Sequence, residues 1–182
     1  MKQKFFKRLA AAAVLLLGAA TASAHDFEVN GIYYNINSDG KSVSVTYEGR
    51  SNDYYDNEYS GAVTIPAKVT YSGKTYSVTS IGYYAFEGCS GLRTVEIPNS
   101  VTKIYDKAFY YCLGLRTVEI PNSVTSIGES VFESCSGLTS VEIPNSVKSI
   151  GSGTFRDCSG LTSVEIPNSV TSIGSSAFYG CI

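Results

Sequence analysis

A 23-residue period runs through the later part of the chain and limits it to folds built by adding like units. Residues 112–132 read CLGLRTVEIPNSVTSIGESVF, 135–155 read CSGLTSVEIPNSVKSIGSGTF, and 158–178 read CSGLTSVEIPNSVTSIGSSAF. Phe86, Phe109, Phe132, Phe155 and Phe178 keep this spacing. So do Cys89, Cys112, Cys135, Cys158 and Cys181, and Ile81, Ile104, Ile127, Ile150 and Ile173. A period of about 20–29 residues is the signature of a solenoid. Four full copies run 79–101, 102–124, 125–147 and 148–170, and a partial fifth starts at Thr171. A catalytic centre needs to be built once, whereas a surface that grips something large benefits from copies.

Within one copy, Val141 and Ile143 alternate with Ser140 and Glu142, the period-two pattern of a strand with one buried face. Pro144 has no N–H to give to a ladder and should close that strand. Val147 and Ile150 then point inward from a second extended piece. Gly151 suits a turn with positive φ; Tyr105 stands at that place in the second copy, which predicts a distorted turn there. Phe155, Cys158 and Leu161 follow at three-residue steps, as on a short helical turn. The fold class expected is mainly β with short helical turns: a repeat solenoid with a parallel concave sheet. One copy cannot cover its own apolar face, so neighbours must share theirs.

Residues 1–24 read as a secretory signal peptide. Lys2, Lys4, Lys7 and Arg8 precede the apolar run Leu9 to Ala20, and Ala22-Ser23-Ala24 is a small-residue cleavage site. The run is too short for a stable membrane span, and the expected mature chain has no transmembrane segment. Its ten basic residues face 16 acidic ones, a net charge near −6. That argues against a nucleic-acid partner, which needs a basic patch.

Residues 25–78 form a Tyr-rich segment without the repeat, expected to be an N-terminal β-hairpin cap on the solenoid of 79–182. GIYYNI (31–36) and SVSVTY (42–47) flank a hairpin signal at Asp39-Gly40. Residues 51–61 read as a polar loop. Val63, Ile65, Pro66 and Val69 parallel Val95, Ile97, Pro98 and Val101, and Ser72-Gly73-Lys74 suggests another hairpin.

The run L-x-x-V-x-I-P-x-S-V-x-x-I-G-x-x-x-F-x-x-C resembles the 23-residue leucine-rich repeat of bacterial BspA-like surface proteins. Leu92, Val95, Ile97, Pro98, Ser100, Val101, Ile104, Phe109 and Cys112 carry it, with their copies. Ser100, Ser123, Ser146 and Ser169 stand where many other leucine-rich repeats have Asn. The resemblance implies a parallel-sheet solenoid, secreted or held at the cell surface. It further implies a protein-binding module, since several relatives are adhesins for host matrix proteins or other cells.

The expected partner-binding residues lie on the concave face: Thr94, Glu96, Thr117, Glu119, Ser140, Glu142, Ser163 and Glu165. Strands ~4.8 Å apart would stack the carboxylates in a ladder, each pair repelling by roughly 0.8 kcal/mol in water at ~5 Å. Arg93 and Arg116 should offset this in the first copies. Such an acidic stripe suits Lys or Arg side chains of a protein partner, and it equally suits a solvated face copied by duplication. The tyrosines suit either an aromatic platform for a glycan or protein, or packing within the cap.

The five Cys, one per copy, read as a buried, reduced ladder, because side chains projecting in parallel hold Cβ atoms too far apart for a disulfide. With one thiol per copy and His25 the single histidine, no metal site, cofactor or catalytic triad is expected, and the chain is not read as an enzyme. The strand at Val164-Glu165-Ile166 is expected at an edge, with Phe178 poorly covered. That points to self-association at the C-terminal end as the alternative function.

Overall fold

The alternation of apolar and polar residues sets strands around Val95, Val118 and Val141, whereas the strand expected at Val164-Glu165-Ile166 is reduced to an isolated parallel bridge at Glu165, which has a partner on one side. A computed structural model of the chain describes residues 25–49 and 59–181. The signal peptide reading, most of the 51–61 loop, and Tyr54 and Tyr55 lie outside the described residues. The described residues are mainly β and contain no helix.

The leading segment forms β1 (Phe27–Val29), β2 (Ile32–Ile36) and β3 (Ser42–Thr46), an antiparallel run. The hairpin expected at Asp39-Gly40 joins β2 to β3. Asp39 accepts hydrogen bonds from the Lys41 and Ser42 N–H groups and from Ser42 Oγ. These bonds hold its carboxyl below the usual value. Next come β4 (Gly61–Thr64), β5 (Lys68–Tyr71) and β6 (Lys74–Ile81). β5 and β6 make the second expected hairpin, turning at Ser72 and Gly73, both with positive φ. β6 also pairs with β3 in parallel, and it runs through the 78/79 division.

Beyond that point the strands recur at the repeat spacing. β7 (Leu92–Glu96), β9 (Thr117–Glu119) and β11 (Ser140–Glu142) alternate along the chain with two-residue strands. Those are β8 (Lys103–Ile104), β10 (Ser126–Ile127), β12 (Ser149–Ile150) and β13 (Ser172–Ile173). One parallel sheet has the order β11-β9-β7-β4, with Val63, Val95, Val118 and Val141 in register. β6, β8 and β10 pair in parallel, as do β12 and β13. Each V-E-I-P strand stops at its proline, whose carbonyl accepts the N–H of the Val three residues on, as Pro144 does from Val147.

The core between these ladders is a set of columns. The Phe86, Phe109, Phe132 and Phe155 side chains are fully buried. Their rings and that of Phe178 stack with centroids 4.9, 5.3, 5.6 and 5.4 Å apart and planes within 12° of parallel. Tyr59 covers the first ring at 4.7 Å, anchored by its hydroxyl, which donates to the Thr46 carbonyl.

The cysteines form the neighbouring column as free thiols, four of them buried and Cys181 half-buried. Each thiol from Cys112 onward donates to the carbonyl of the Phe 26 residues earlier, at 2.9–3.1 Å. Burial pushes the Cys112 and Cys158 thiols well above their usual pKa, neighbouring thiols adding to the effect; Cys181 is raised too. Cysteine suits the position because it is a small apolar side chain that still carries a weak donor.

The short helical turns are not there, and the backbone shows why. Every copy has two left-handed residues four apart: Tyr84 and Gly88, Lys107 and Tyr111, Ser130 and Ser134, Gly153 and Asp157, Ser176 and Gly180. A helix cannot pass through such residues. The chain makes successive three-residue turns instead, which keep Phe155, Cys158 and Leu161 on one side. The alternate N–H groups cross to the next copy: Lys107, Phe109 and Tyr111 donate to Glu129, Val131 and Glu133 carbonyls at 2.9 Å. The same triplet recurs from Ser130, Phe132 and Ser134, and from Gly153, Phe155 and Asp157. An α-helix would satisfy these donors internally; the turn ribbon spends them on joining copies.

Gly151 also differs from expectation. Positive φ falls at 153 and 157, and a Cβ on Gly151 would come within 2.8 Å of the Gly128 carbonyl oxygen. The residue permits close approach between copies. Tyr105 causes no break in that column, for its N–H donates to Ile81 O at 3.0 Å as Gly128 does to Ile104 O at 2.9 Å.

Candidate functional site

The four-strand parallel sheet carries six of the eight expected binding residues, and Ser163 and Glu165 follow in the next copy. Thr94, Thr117 and Ser140 are partners across β7, β9 and β11, and Glu96, Glu119 and Glu142 form the next row. A parallel bridge between Glu142 and Glu165 extends the glutamate row to the following copy. All eight side chains, Ser163 and Glu165 included, are exposed. They point away from Val95, Val118 and Val141, which face the core.

The row is less compensated than its sequence suggests. Arg93 donates through Nη1 to the Gly114 carbonyl at 3.2 Å. The ion pairs among the described residues join Arg156 to Glu133 and Asp157, away from the row. Glu96 receives a hydrogen bond from Thr64 Oγ1 at 3.1 Å, so the short neutral strand β4 closes one end of the stripe. What results is an acidic, hydroxyl-flanked surface that repeats along one direction.

The serines that follow the prolines link one copy to the next. Ser123 Oγ donates to Val101 O at 2.6 Å and Ser146 Oγ to Val124 O at 2.5 Å. At the two ends of that column the Oγ atoms of the half-buried Ser100 and Ser169 are covered and have no hydrogen-bond partner.

The tyrosines divide into two groups. Tyr34, Tyr59 and Tyr76 are buried in the core of the leading segment. Tyr47, Tyr71, Tyr83, Tyr84 and Tyr111 are exposed. Lys107 Nζ sits 5.5 and 5.2 Å from the ring centres of Tyr84 and Tyr110, in cation–π contact. Tyr83 and Tyr105 make a separate pair whose signal was in the sequence: the tyrosine standing in a glycine column. The His25 ring lies 4.7 Å from that of Tyr33, tilted by 53°, and its Nδ1 lies 2.7 Å from the Glu48 carbonyl oxygen. Among the described residues no three His, Cys, Asp or Glu side chains group as metal ligands would, and no helix is long and apolar enough to cross a membrane.

The BspA type leucine rich repeat region matches residues 64–182 in six copies, well over half of the chain. The chain belongs to the BspA-type leucine-rich repeat family. Solved structures similar to this BspA-type protein include a leucine rich repeat protein of T. pallidum, 28% identical over 81% of each chain with a TM-score of 0.61. A leucine rich cell surface protein of Faecalibacterium prausnitzii is 27% identical over 90% of this chain and 53% of that one, at 0.57. A leucine-rich repeat protein of Bacteroides capillosus is 28% identical over 82% of this chain and 96% of that one, at 0.55. No curated protein matches the sequence.

Proposed function

We propose that the chain is an exported binding module, secreted or held at a cell surface, that grips a protein partner through its four-strand sheet. In this reading residues 1–24 are a signal peptide, 25–78 an N-terminal β cap, and 79–182 a continuous solenoid whose sheet is concave. The chain is not an enzyme and needs no cofactor. The observation that carries the reading is the exposed row Glu96, Glu119, Glu142 and Glu165, in register and without an ion pair among the described residues. Like charges set side by side oppose folding slightly, and a cationic partner relieves that repulsion. The partner is therefore a protein presenting spaced Lys or Arg, such as a host matrix protein or another surface protein, bound in adhesion. The similarity to a cell surface protein of Faecalibacterium prausnitzii supports the location.

The test is replacement of all four glutamates by Gln, with binding to immobilised matrix proteins followed from low to high salt. The wild type should lose affinity with salt, and the variant should bind about tenfold more weakly at low salt. Equal affinity and equal salt dependence for both would remove the stripe as the site.

A second reading is favoured by one observation at the other end of the stack. Ile166 and Ile173 are 42% and 49% exposed, whereas Ile143 and Ile150, one copy earlier, are 4% and 3%. Beside them Leu161, Val164, Ile166 and Phe178 line a groove of about 220 Å³. A second copy of the chain that stacks here would continue both ladders and cover the groove. Sedimentation should then show a mass above the monomer that Ile173→Glu returns to the monomer. A monomeric wild type at high concentration would end this reading.

A further inference from the structure

The repeats supply an internal baseline: a residue that departs from its column is answering to something other than the scaffold. In the column of Gly82, Gly128, Gly151 and Gly174 the second copy has Tyr105. In the next column, Asp106, Glu129, Ser152 and Ser175 are all polar, and the first copy has Tyr83. These two departures meet. The Tyr83 and Tyr105 rings lie 4.7 Å apart and tilted by 35°, and Tyr83 is 54% exposed.

Gly82 brings the pair against the leading segment. Its N–H donates to the Val45 carbonyl at 2.8 Å, and a Cβ there would sit 2.8 Å from the same oxygen. The two rings thereby stand beside Tyr47, itself 36% exposed, over the face of β2 and β3 opposite Val43 and Val45. Asn35 and Ser44 line that floor. Ser44 Oγ is held by Asn37 Oδ1 and Ser80 Oγ, each at 2.6 Å, so the hydroxyl is fixed before anything binds. The groove measures about 360 Å³, inside the range of about 300–1,000 Å³ for small-ligand sites.

Its lining contains aromatic rings, hydroxyls and an amide, with no charged side chain. That disfavours phosphate and acidic ligands, which bind most strongly to a cation, and the polar floor disfavours a lipid chain. A sugar ring matches both halves, having an apolar C–H face and a rim of hydroxyls. We infer that this groove binds a neutral carbohydrate, a pyranose resting on the Tyr83 and Tyr105 rings with its hydroxyls reaching Asn35, Ser44 and the tyrosine rims. The site is separate from the glutamate row and does not depend on it.

The baseline also supplies the test. Tyr83→Ser and Tyr105→Gly give each position the residue that later copies carry, so the fold should persist. Neutral gluco-, manno- and xylo-oligosaccharides, with oligogalacturonate as the acidic control, are titrated against the whole chain by saturation-transfer NMR and calorimetry. At least one neutral oligosaccharide should saturate, with the double variant weaker by about tenfold or more and the quadruple Glu→Gln variant unchanged. Tyr83→Ser alone, at an exposed position, gives the same reading if the double variant melts early. Failure of every neutral oligosaccharide to saturate, undiminished binding by a folded tyrosine variant, or equal binding of oligogalacturonate would overturn the assignment.

Discussion

Phe132→Ala should lower folding stability by about 3–5 kcal/mol, the cost of an emptied aromatic site that its surroundings cannot fill. Phe132 is the middle ring of five, fully buried and stacked on Phe109 at 5.3 Å and Phe155 at 5.6 Å. Its backbone donates across to Thr154, and its carbonyl accepts the Cys158 thiol. Collapse would have to drag those links along, so a cavity should remain. The comparison is Phe178→Ala, in the same stack but only half-buried, where the loss should be less than half as large. Chemical denaturation reads both. Because neighbouring copies can unfold separately, Phe132→Ala should also broaden the transition or split it in two. Equal losses at the two positions would mean that the rings do not form one stack.

Gly137→Ala should be destabilising by about 1–3 kcal/mol, against the usual gain from replacing Gly by Ala. This glycine has ordinary φ, so strain is not the cause. A Cβ there would lie 2.5 Å from the Leu113 carbonyl oxygen and 3.1 Å from that of Leu115. Both atoms are backbone of the preceding copy, and Thr139 N–H ties the two copies together nearby by donating to Arg116 O at 3.1 Å. Gly160 meets Ser136 and Leu138 in the same way. The neighbouring Ser136→Ala, at an exposed side chain, should stay within about 0.5 kcal/mol of wild type. A melting curve for each variant decides it, and an unchanged Gly137→Ala would show that the copies lie further apart than described.

What the sequence made legible was whatever the period repeats. The strands at Val95, Val118 and Val141, the stops at the prolines, the register of Glu96, Glu119 and Glu142, and the free, stacked cysteines all follow from 23-residue spacing and period-two alternation. The hairpins at Asp39-Gly40 and Ser72-Gly73 were readable because turn chemistry is local. Three other features depended on the neighbouring copy. The three-residue steps of Phe155, Cys158 and Leu161 fit a helical turn equally well until the left-handed Gly153 and Asp157 send alternate N–H groups across. Glycine at 151 serves positive φ or close approach, and only the nearby Gly128 backbone separates the two. Arg93 was paired with the glutamates on proximity in sequence, whereas its guanidinium finds Gly114 O.

The tyrosine groove needed the fold. Asn35, Ser44, Tyr83 and Tyr105 come from strands and turns far apart in the chain, and β3 reaches the first copy by pairing with β6. Tyr105 was visible as an odd residue in a glycine column, but nothing in the sequence said which ring it would meet. The binding row was visible residue by residue, while its partner is encoded in no single copy.

The central claim is that successive copies lie on one another closely enough to bury the thiol column, and native thiol titration tests it most directly. With a small aromatic disulfide reagent, Cys181 should react slowly and Cys89, Cys112, Cys135 and Cys158 should stay unreactive until denaturant is added, when all five respond. The raised thiol pKa values at Cys112 and Cys158 slow reaction further at neutral pH. Rapid reaction of several thiols in the folded protein, or fewer than five after unfolding, would contradict the stacked arrangement.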